Sequence, residues 1–323
     1  MKVLVTGATG LLGSHLVEQG LARGHQIRAV VRTVPNRSFL AGNQNRVELV
    51  TRDLANESLS ADDFTGIDVV IHSAALASAD PSQQTAMALI NDQMPRKLYA
   101  QAENAGVRKW VQVSTTAVLT NAQKPIFTEE DFGNVRDTAY ARTKYDFDQF
   151  LLKQKTRMTT LSVHPGYMLG RWDAKPSSGA ILFGLRMGRF KHYIESEKNF
   201  VAAKDVAIGI WQAIEADAVG RYILGGHNSK ISTFLGAASS ELGMPFSAQR
   251  IENGELDRLT EGERSFVREF CSSGAVSHDK AQREFNYSPM VSISDMITET
   301  MDYFIENRML KRASSHGSDG SRI

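Results

Sequence analysis

Short apolar runs recur through the first half of the chain. Residues 2–6 (KVLVT), 26–32 (QIRAVVR), 47–51 (VELVT), 68–72 (DVVIH), 109–114 (KWVQVS) and 160–164 (TLSVH) are rich in Val and Ile and bounded by Gly, Asn, Asp or Ser. Such runs predict strands. Most are continuously apolar rather than alternating, as strands buried on both faces of a parallel sheet must be. Helical spacing fills the gaps. Leu12 with Leu16 and Val17 with Leu21 are i,i+4 apolar pairs, and Gly24 follows as a stop. Residues 86–105 read as an Ala-rich helix interrupted by Pro95, and 138–155 as a helix carrying Phe147, Phe150 and Leu151 on one side. Strands and helices in alternation predict a doubly wound α/β sheet.

After residue 164 the rhythm changes. Residues 165–200 predict loops and one helical patch, 204–215 a helix, 221–224 (RYIL) a strand, and 232–310 mainly helices with irregular joins. The Ser/Gly-rich end, residues 312–323, predicts a disordered tail. No repeat occurs at solenoid periods.

Composition narrows the function classes. Apolar residues at 42% and charged residues at 23% fit an ordinary soluble globular chain, so wholesale disorder is excluded. The balance of 37 Lys+Arg against 36 Asp+Glu leaves a net charge of +1, with no global field to attract nucleic acid or an acidic membrane. The single cysteine, Cys271, cannot form an internal disulfide and suits a reducing compartment. No run of 18 apolar residues is present, so no membrane span is expected. The N-terminus shows no signal-peptide pattern. A cytoplasmic protein is expected.

The strongest local signal is Gly7-Ala8-Thr9-Gly10-Leu11-Leu12-Gly13, between the first predicted strand and helix. Glycine there permits a tight turn and lets backbone N–H groups approach a phosphate. The helix N-terminus adds positive dipole where a pyrophosphate would sit. A dinucleotide-binding, Rossmann-type sheet is therefore expected, with a smaller, mainly helical C-terminal substrate domain. Its expected parts are residues 1–166 plus about 200–230, with about 167–199 plus 231–311 forming the substrate domain.

The G-x-x-G-x-x-G spacing resembles the extended form of the short-chain dehydrogenase/reductase superfamily. Within it the chain looks most like dihydroflavonol-4-reductase-like proteins and the NAD-dependent epimerase/dehydratase group. At the end of the second strand, NAD enzymes place an acid to bond the ribose 2′-OH. This chain has Arg32 there, 19 positions after Gly13, with Arg37 near it. A guanidinium suits a 2′-phosphate, so NADP(H) is favoured over NAD(H), the alternative being a solvated basic loop. Asp53, before Leu54, is the residue that the resemblance assigns to the adenine amine; a loop or capping Asp is the plain alternative. Small residues at Ser73, Ala74 and Ala75 would let the cofactor pass closely, and Asn91 sits where extended members carry an Asn, a solvent-facing Asn being the plain alternative.

Tyr140-Ala141-Arg142-Thr143-Lys144 supplies candidate chemistry. On a helix i and i+4 share a face, so a nearby ammonium would favour the phenolate and make Tyr140 a usable acid or base. Lys144 could also reach the nicotinamide ribose. The resemblance implies a substrate-binding hydroxyl after the fifth strand. Thr116, 24 residues before Tyr140, is preferred to Thr115 and to Ser114, which is expected beside the cofactor. His164-Pro165-Gly166-Tyr167-Met168-Leu169-Gly170 resembles an R-P-x-x-x-x-G element bordering the nicotinamide. His164 replaces the Arg and reads as structural before catalytic. Asp205, in Val201–Ala207, reads as a helix cap.

Other chemistries lack support. There is no G-x-S-x-G elbow, and the eight histidines show no H-x-x-x-H spacing, so no metal is assigned. Phe183, Met187 and Phe190 fall at i, i+4 and i+7 and read as a helix face, for packing or for an apolar pocket wall. Arg171, Arg186 and Arg189 do not form the diphosphate pattern of nucleotide-sugar enzymes. The expectation is an NADP(H)-dependent oxidoreductase that reduces a small-molecule carbonyl to an alcohol. The alternatives are a nucleotide-sugar epimerase or dehydratase with retained NAD(P), and a non-catalytic NADP-binding regulator. The resemblance also implies a homodimer through the helices carrying Asn91 and Tyr140, with Phe147, Phe150 and Leu151 serving either as apolar surface for that packing or equally as part of the monomer core.

Overall fold

The computed structural model describes residues 1–311 other than 79, 121, 122, 134, 136, 137, 272 and 273. The tail at 312–323 lies outside the described residues. In chain order the first elements are β1 (Lys2–Thr6), α1 (Leu11–Ala22), β2 (Gln26–Val31), β3 (Glu48–Thr51), β4 (Val69–His72), α2 (Gln84–Ala88), α3 (Met94–Asn104) and β5 (Lys109–Val113). Next come β6 (Ile126–Phe127), α4 (Ala139–Leu152), β7 (Thr159–Pro165), β8 (Tyr167–Leu169), α5 (Ala180–Arg186), β9 (His192–Tyr193), β10 (Glu197–Ala202) and α6 (Ala203–Glu215). The rest are β11 (Gly220–Leu224), β12 (His227–Lys230), α7 (Ile231–Glu241), β13 (Gln249–Arg250), α8 (Glu261–Cys271), β14 (Ala275–Val276), α9 (Asp279–Phe285) and α10 (Ile293–Glu306).

Seven strands form one sheet in the order β11-β7-β5-β4-β1-β2-β3. Every neighbouring pair in it is parallel. The order reverses at β1, and the carboxyl ends of β1 and β4 flank the crevice where such sheets bind ligands. Side-chain alternation explains the continuous apolar runs. Val3 and Val5 face a core shared with Leu16, Ile210 and Trp211 of α1 and α6. Leu4 faces the opposite core, with Leu98, Tyr99, Phe147 and Leu151 of α3 and α4. Phe147 and Leu151 are thus spent inside the chain rather than offered to a partner; Phe150 is half-buried under Arg96, whose guanidinium stands 4.7 Å from its ring centroid. A third core gathers Phe200, Phe234, Phe270, Met296 and Phe304 from the C-terminal part.

Several expectations need correction. Residues 165–200 hold three strands besides the helix, and β8, β10 and β12 form a small sheet of their own. These strands are two to six residues long, too short for a clear period. The helix expected over 86–105 is divided by a π-turn, Leu89–Gln93, with Pro95 at the start of α3. Proline has no N–H to donate back, so a wider turn absorbs the missing bond. The stripe of Phe183, Met187 and Phe190 is not one helix face, because α5 ends at Arg186. Met187 is exposed, while Phe190 packs on Phe266 and Phe270. Asp205 does not cap α6, whose N-cap is Ala202. Its Oδ2 instead accepts from the backbone N–H groups of Met290 and Val291, each at 3.0 Å, and ties the α10 approach to α6.

Candidate active site

The glycine loop closes on itself. Gly7 has φ +69°, and the Gly10 N–H donates to Gly7 O at 2.9 Å. A Cβ on Gly13 would lie 1.9 Å from Gly7 O, and one on Gly7 would lie 2.7 Å from Ala74 N. Gly10 caps α1 without a side-chain bond, and no acid stands in the first turn. The N–H groups of Leu11, Leu12 and Gly13 therefore have no intrahelical partner and point out of the helix start beside Thr9. This cradle, whose tight backbone turn admits no side chain at Gly7 or Gly13, fits an anion such as a pyrophosphate. Its far wall is the Ser73–Ala75 segment. Ser73 Oγ donates to Thr6 O at 3.0 Å, and Ala74 N–H donates to Thr6 Oγ1 at 3.3 Å. Thr6 Oγ1 also meets His72 Nδ1 at 2.8 Å. Burial, with the Lys144 ammonium near it, pushes His72 down to about 3, so its imidazole is neutral.

At the far end of the crevice Arg32 and Arg37 are exposed. Strand register adds a third cation that sequence reading missed. Val31 pairs with Thr51, and the next residue, Arg52, donates its N–H to Val31 O at 2.9 Å. Arg52 thus stands beside Arg32 at the sheet edge. None of the three makes an ion pair among the described residues. The signal that could have found Arg52 is its place one residue past a strand parallel to β2. Asp53, partly buried before Leu54, accepts from Ala55 N–H and Asn56 Nδ2 and braces its own loop.

The candidate catalytic face is on α4, which Thr138 caps by accepting from Ala141 N–H at 3.2 Å. Lys144 is buried, and its Nζ donates to Val113 O at 2.8 Å. Burial holds the ammonium down at about 8, against a smaller opposing pull from Asp148. Tyr140, one turn earlier, is partly exposed. The expectation that the ammonium would lower the phenol is corrected. Burial and the carboxylates of Glu269 and Asp148 push Tyr140 above its ordinary value. Glu269, on α8, also raises Tyr167; nothing in the sequence marks it, since only the tertiary fold brings α8 to this crevice.

The three hydroxyls after β5 divide. Ser114 Oγ turns inward and donates to Asp148 Oδ2, so its side chain is not free for the cofactor. Thr115 Oγ1 accepts from Ala117 N–H at 3.1 Å. The Thr116 hydroxyl has no hydrogen-bond partner among the described residues, while the Thr116 carbonyl, at the start of a 3₁₀ turn (Thr116–Val118), accepts from Leu119 N–H at 3.0 Å. Asn91 is buried in the π-turn. It accepts from Leu76 N–H at 2.8 Å and donates to Leu76 O and Thr143 Oγ1, at 2.9 and 3.1 Å. Thr143 Oγ1 in turn donates to Tyr140 O at 2.9 Å, so Asn91 anchors both the segment after β4 and the start of α4. His164 is fully buried with Nδ1 3.2 Å from Thr115 O. A carbonyl only accepts, so Nδ1 carries the proton. Pro165 ends β7 and Met168 lies in β8. Between them Gly166 passes so close to Asn199 that a Cβ would be 2.3 Å from its Oδ1.

A parallel doubly wound sheet with an anion cradle at its switch point, and a Tyr–Lys face beside it, define a dinucleotide-dependent oxidoreductase. Residues 3–225 match the model of the NAD dependent epimerase/dehydratase family, and the chain belongs to that family. It is 29% identical over 242 residues to "Sterol demethylase protein B" of Methylococcus capsulatus, covering 73% of each chain. It is 28% identical over 252 residues to a "Putative dihydroflavonol 4-reductase" of Synechocystis sp., covering 75% of this chain and 72% of that one. Among solved structures it resembles gox2253, with a TM-score of 0.82, 26% identity and coverage of 96% of this chain and 99% of that one.

Proposed function

We propose that this chain is an NADP(H)-dependent reductase of an aldehyde or ketone. The observation that carries the cofactor choice is the exposed set Arg32, Arg37 and Arg52 where an NAD enzyme needs an acid. Guanidinium forks match phosphate oxygens, and an acid here would repel them. When bound, the nicotinamide supplies hydride to the carbonyl carbon. The protein's part is proton placement and orientation. Thr116 Oγ1, the one hydroxyl of the three left without a partner, donates to the carbonyl oxygen. Tyr140 delivers the proton to that oxygen; its raised phenol favours the protonated form that a reduction requires. Lys144, fixed by Val113 O, presents the remaining ammonium protons to the ribose. The relative named as a dihydroflavonol 4-reductase supports the reductive direction.

Titration of the purified protein with NADPH and NADH, followed by a carbonyl panel, tests the reading. NADPH binds more tightly, and Arg32→Ala with Arg52→Ala removes most of that preference. Tyr140→Phe keeps NADPH binding and lowers turnover by roughly 10²–10⁴-fold. Equal affinity for the two cofactors, or tightly retained NAD with inversion of a sugar and no net NADPH loss, would overturn it in favour of an epimerase.

A further inference from the structure

Asp148 lies two turns along α4 from Tyr140 and one turn from Lys144, so the three share a helix face. It is only 3% exposed. A carboxylate is rarely buried so deeply without a cation, because leaving water is costly unless the charge is compensated. Asp148 has two neutral donors. Ser114 Oγ donates to Oδ2, and Ser162 Oγ donates to Oδ1 at 3.1 Å. Each carboxyl oxygen thus has one serine hydroxyl as its partner.

These bonds tie three walls of the crevice to one charge. Ser114 follows β5 directly after Val113, whose carbonyl holds Lys144. Ser162 is in β7, and its hydroxyl is also 3.4 Å from His164 Nε2. His164 reaches Thr115 O, next to the free Thr116 hydroxyl. The charged and titratable groups around Asp148 are Tyr140 and Lys144 of α4, His164 of β7 and Arg221 of β11, with Glu129 beside the last two. His72 faces Lys144 from β4. Arg221 feels the Asp148 charge but makes no ion pair with it among the described residues, its guanidinium lying 4.1 Å from the Phe132 ring centroid. His164 is held below its ordinary range, chiefly by burial. Lys144 is therefore the buried cation on the same helix face as the carboxylate, one turn away.

We propose that Asp148 is a positioning residue that acts through Lys144, keeping the lysine an ammonium in its dry site while its two serine bonds fix the ends of β5 and β7 that frame the Thr116 hydroxyl. It touches neither substrate nor cofactor. The inference rests on the reading of Tyr140 and Lys144 as the catalytic pair, and its test separates the two.

The first measurement needs no cofactor. Urea unfolding at pH 7 is compared for the unmodified chain, Asp148→Asn, Lys144→Met and the double variant. Asp148→Asn lowers the folding equilibrium constant at least tenfold more in the unmodified chain than in the Lys144→Met background. If Asp148→Asn alone does not fold, the double variant does. Equal losses in both backgrounds, or failure of both to fold, would overturn the proposal and leave Asp148 a plain packing residue. The second measurement is the pH profile of turnover. The alkaline limb set by Lys144 moves toward acid by about one to two pH units in Asp148→Asn, the size of a partly screened charge pair one helical turn apart. A uniform loss at every pH also counts against it. Undiminished turnover in Lys144→Met would instead remove the catalytic pair while the unfolding cycle still decides the coupling.

Discussion

Lys144 is held against its own solvation, and the consequence can be measured at a single residue. An unfolded lysine titrates near 10.5, whereas burial brings this one to about 8. Between those values the unfolded chain holds more protons, so this group makes stability rise with pH across that window; below pH 8 its full penalty is present. That penalty is about 3 kcal/mol at pH 7, as an upper order of magnitude. Lys144→Met keeps the stem and removes the charge, and Val113 O keeps a second donor in Gln112 Nε2 at 3.0 Å. We predict that in the Asp148→Asn background, where no buried carboxylate is left without its cation, Lys144→Met raises stability by roughly 1–3 kcal/mol in urea unfolding at pH 7, while turnover is lost. A less stable variant would mean that the ammonium is well solvated. The motif was legible here because tyrosine and lysine four apart share a helix face in any helix. The raised phenol was not, because Glu269 comes from α8, more than a hundred residues later, and only the fold brings it near.

At the level of elements, the glycine loop was the most legible part of the chain, and its geometry gives the reason. A residue that passes 1.9 Å from backbone once a Cβ is added leaves no alternative to glycine. Gly13→Ala should therefore disturb the loop itself rather than merely crowd a ligand. The expected outcome is a loss of NADPH affinity of at least 100-fold and a lower melting temperature without ligand. An intact melting temperature with unchanged affinity would show that the loop opens at little cost. The β1–α1–β2 unit could be read because its period is strong and its turn chemistry specific. The π-turn at Leu89–Gln93 was obscured because its signal is one proline, which fits a kink, a break or a first turn equally well. The short strands of the C-terminal part were hidden for a related reason. Two-residue pairs such as β9 with β13 are created by the approach of distant segments and have no period of their own.

Across the whole molecule, buried histidines set how the fold meets acid. His72 is pushed down to about 3 by burial and by the Lys144 ammonium. His164, His25 and His278 are also lowered, each chiefly by burial. In the unfolded chain all four titrate near 6.5. Below that value the unfolded state gains protons that the folded state refuses, so stability is complete above pH 6.5 and is lost as pH falls toward the folded values. For His72 the window runs from 6.5 down to about 3, at about 1.4 kcal/mol per pH unit once below 6.5. The ring also sits in an aromatic cluster: Trp110 stacks on it with centroids 5.6 Å apart, and Phe147 meets it edge-on at 6.3 Å. His72 should remove about 1.4 kcal/mol between pH 7.5 and 5.5, which lowers the melting temperature by roughly 2–3 °C for a chain of this size, and the other lowered histidines act in the same direction. His72→Gln, which keeps an amide within reach of Thr6 Oγ1 and cannot be charged, should remove the His72 share of that slope. Thermal melts of both proteins at several pH values decide it. A melting temperature constant from pH 7.5 to 5.5 in the unmodified chain, or an equal slope in His72→Gln, would show that the imidazole takes up its proton in the folded state after all.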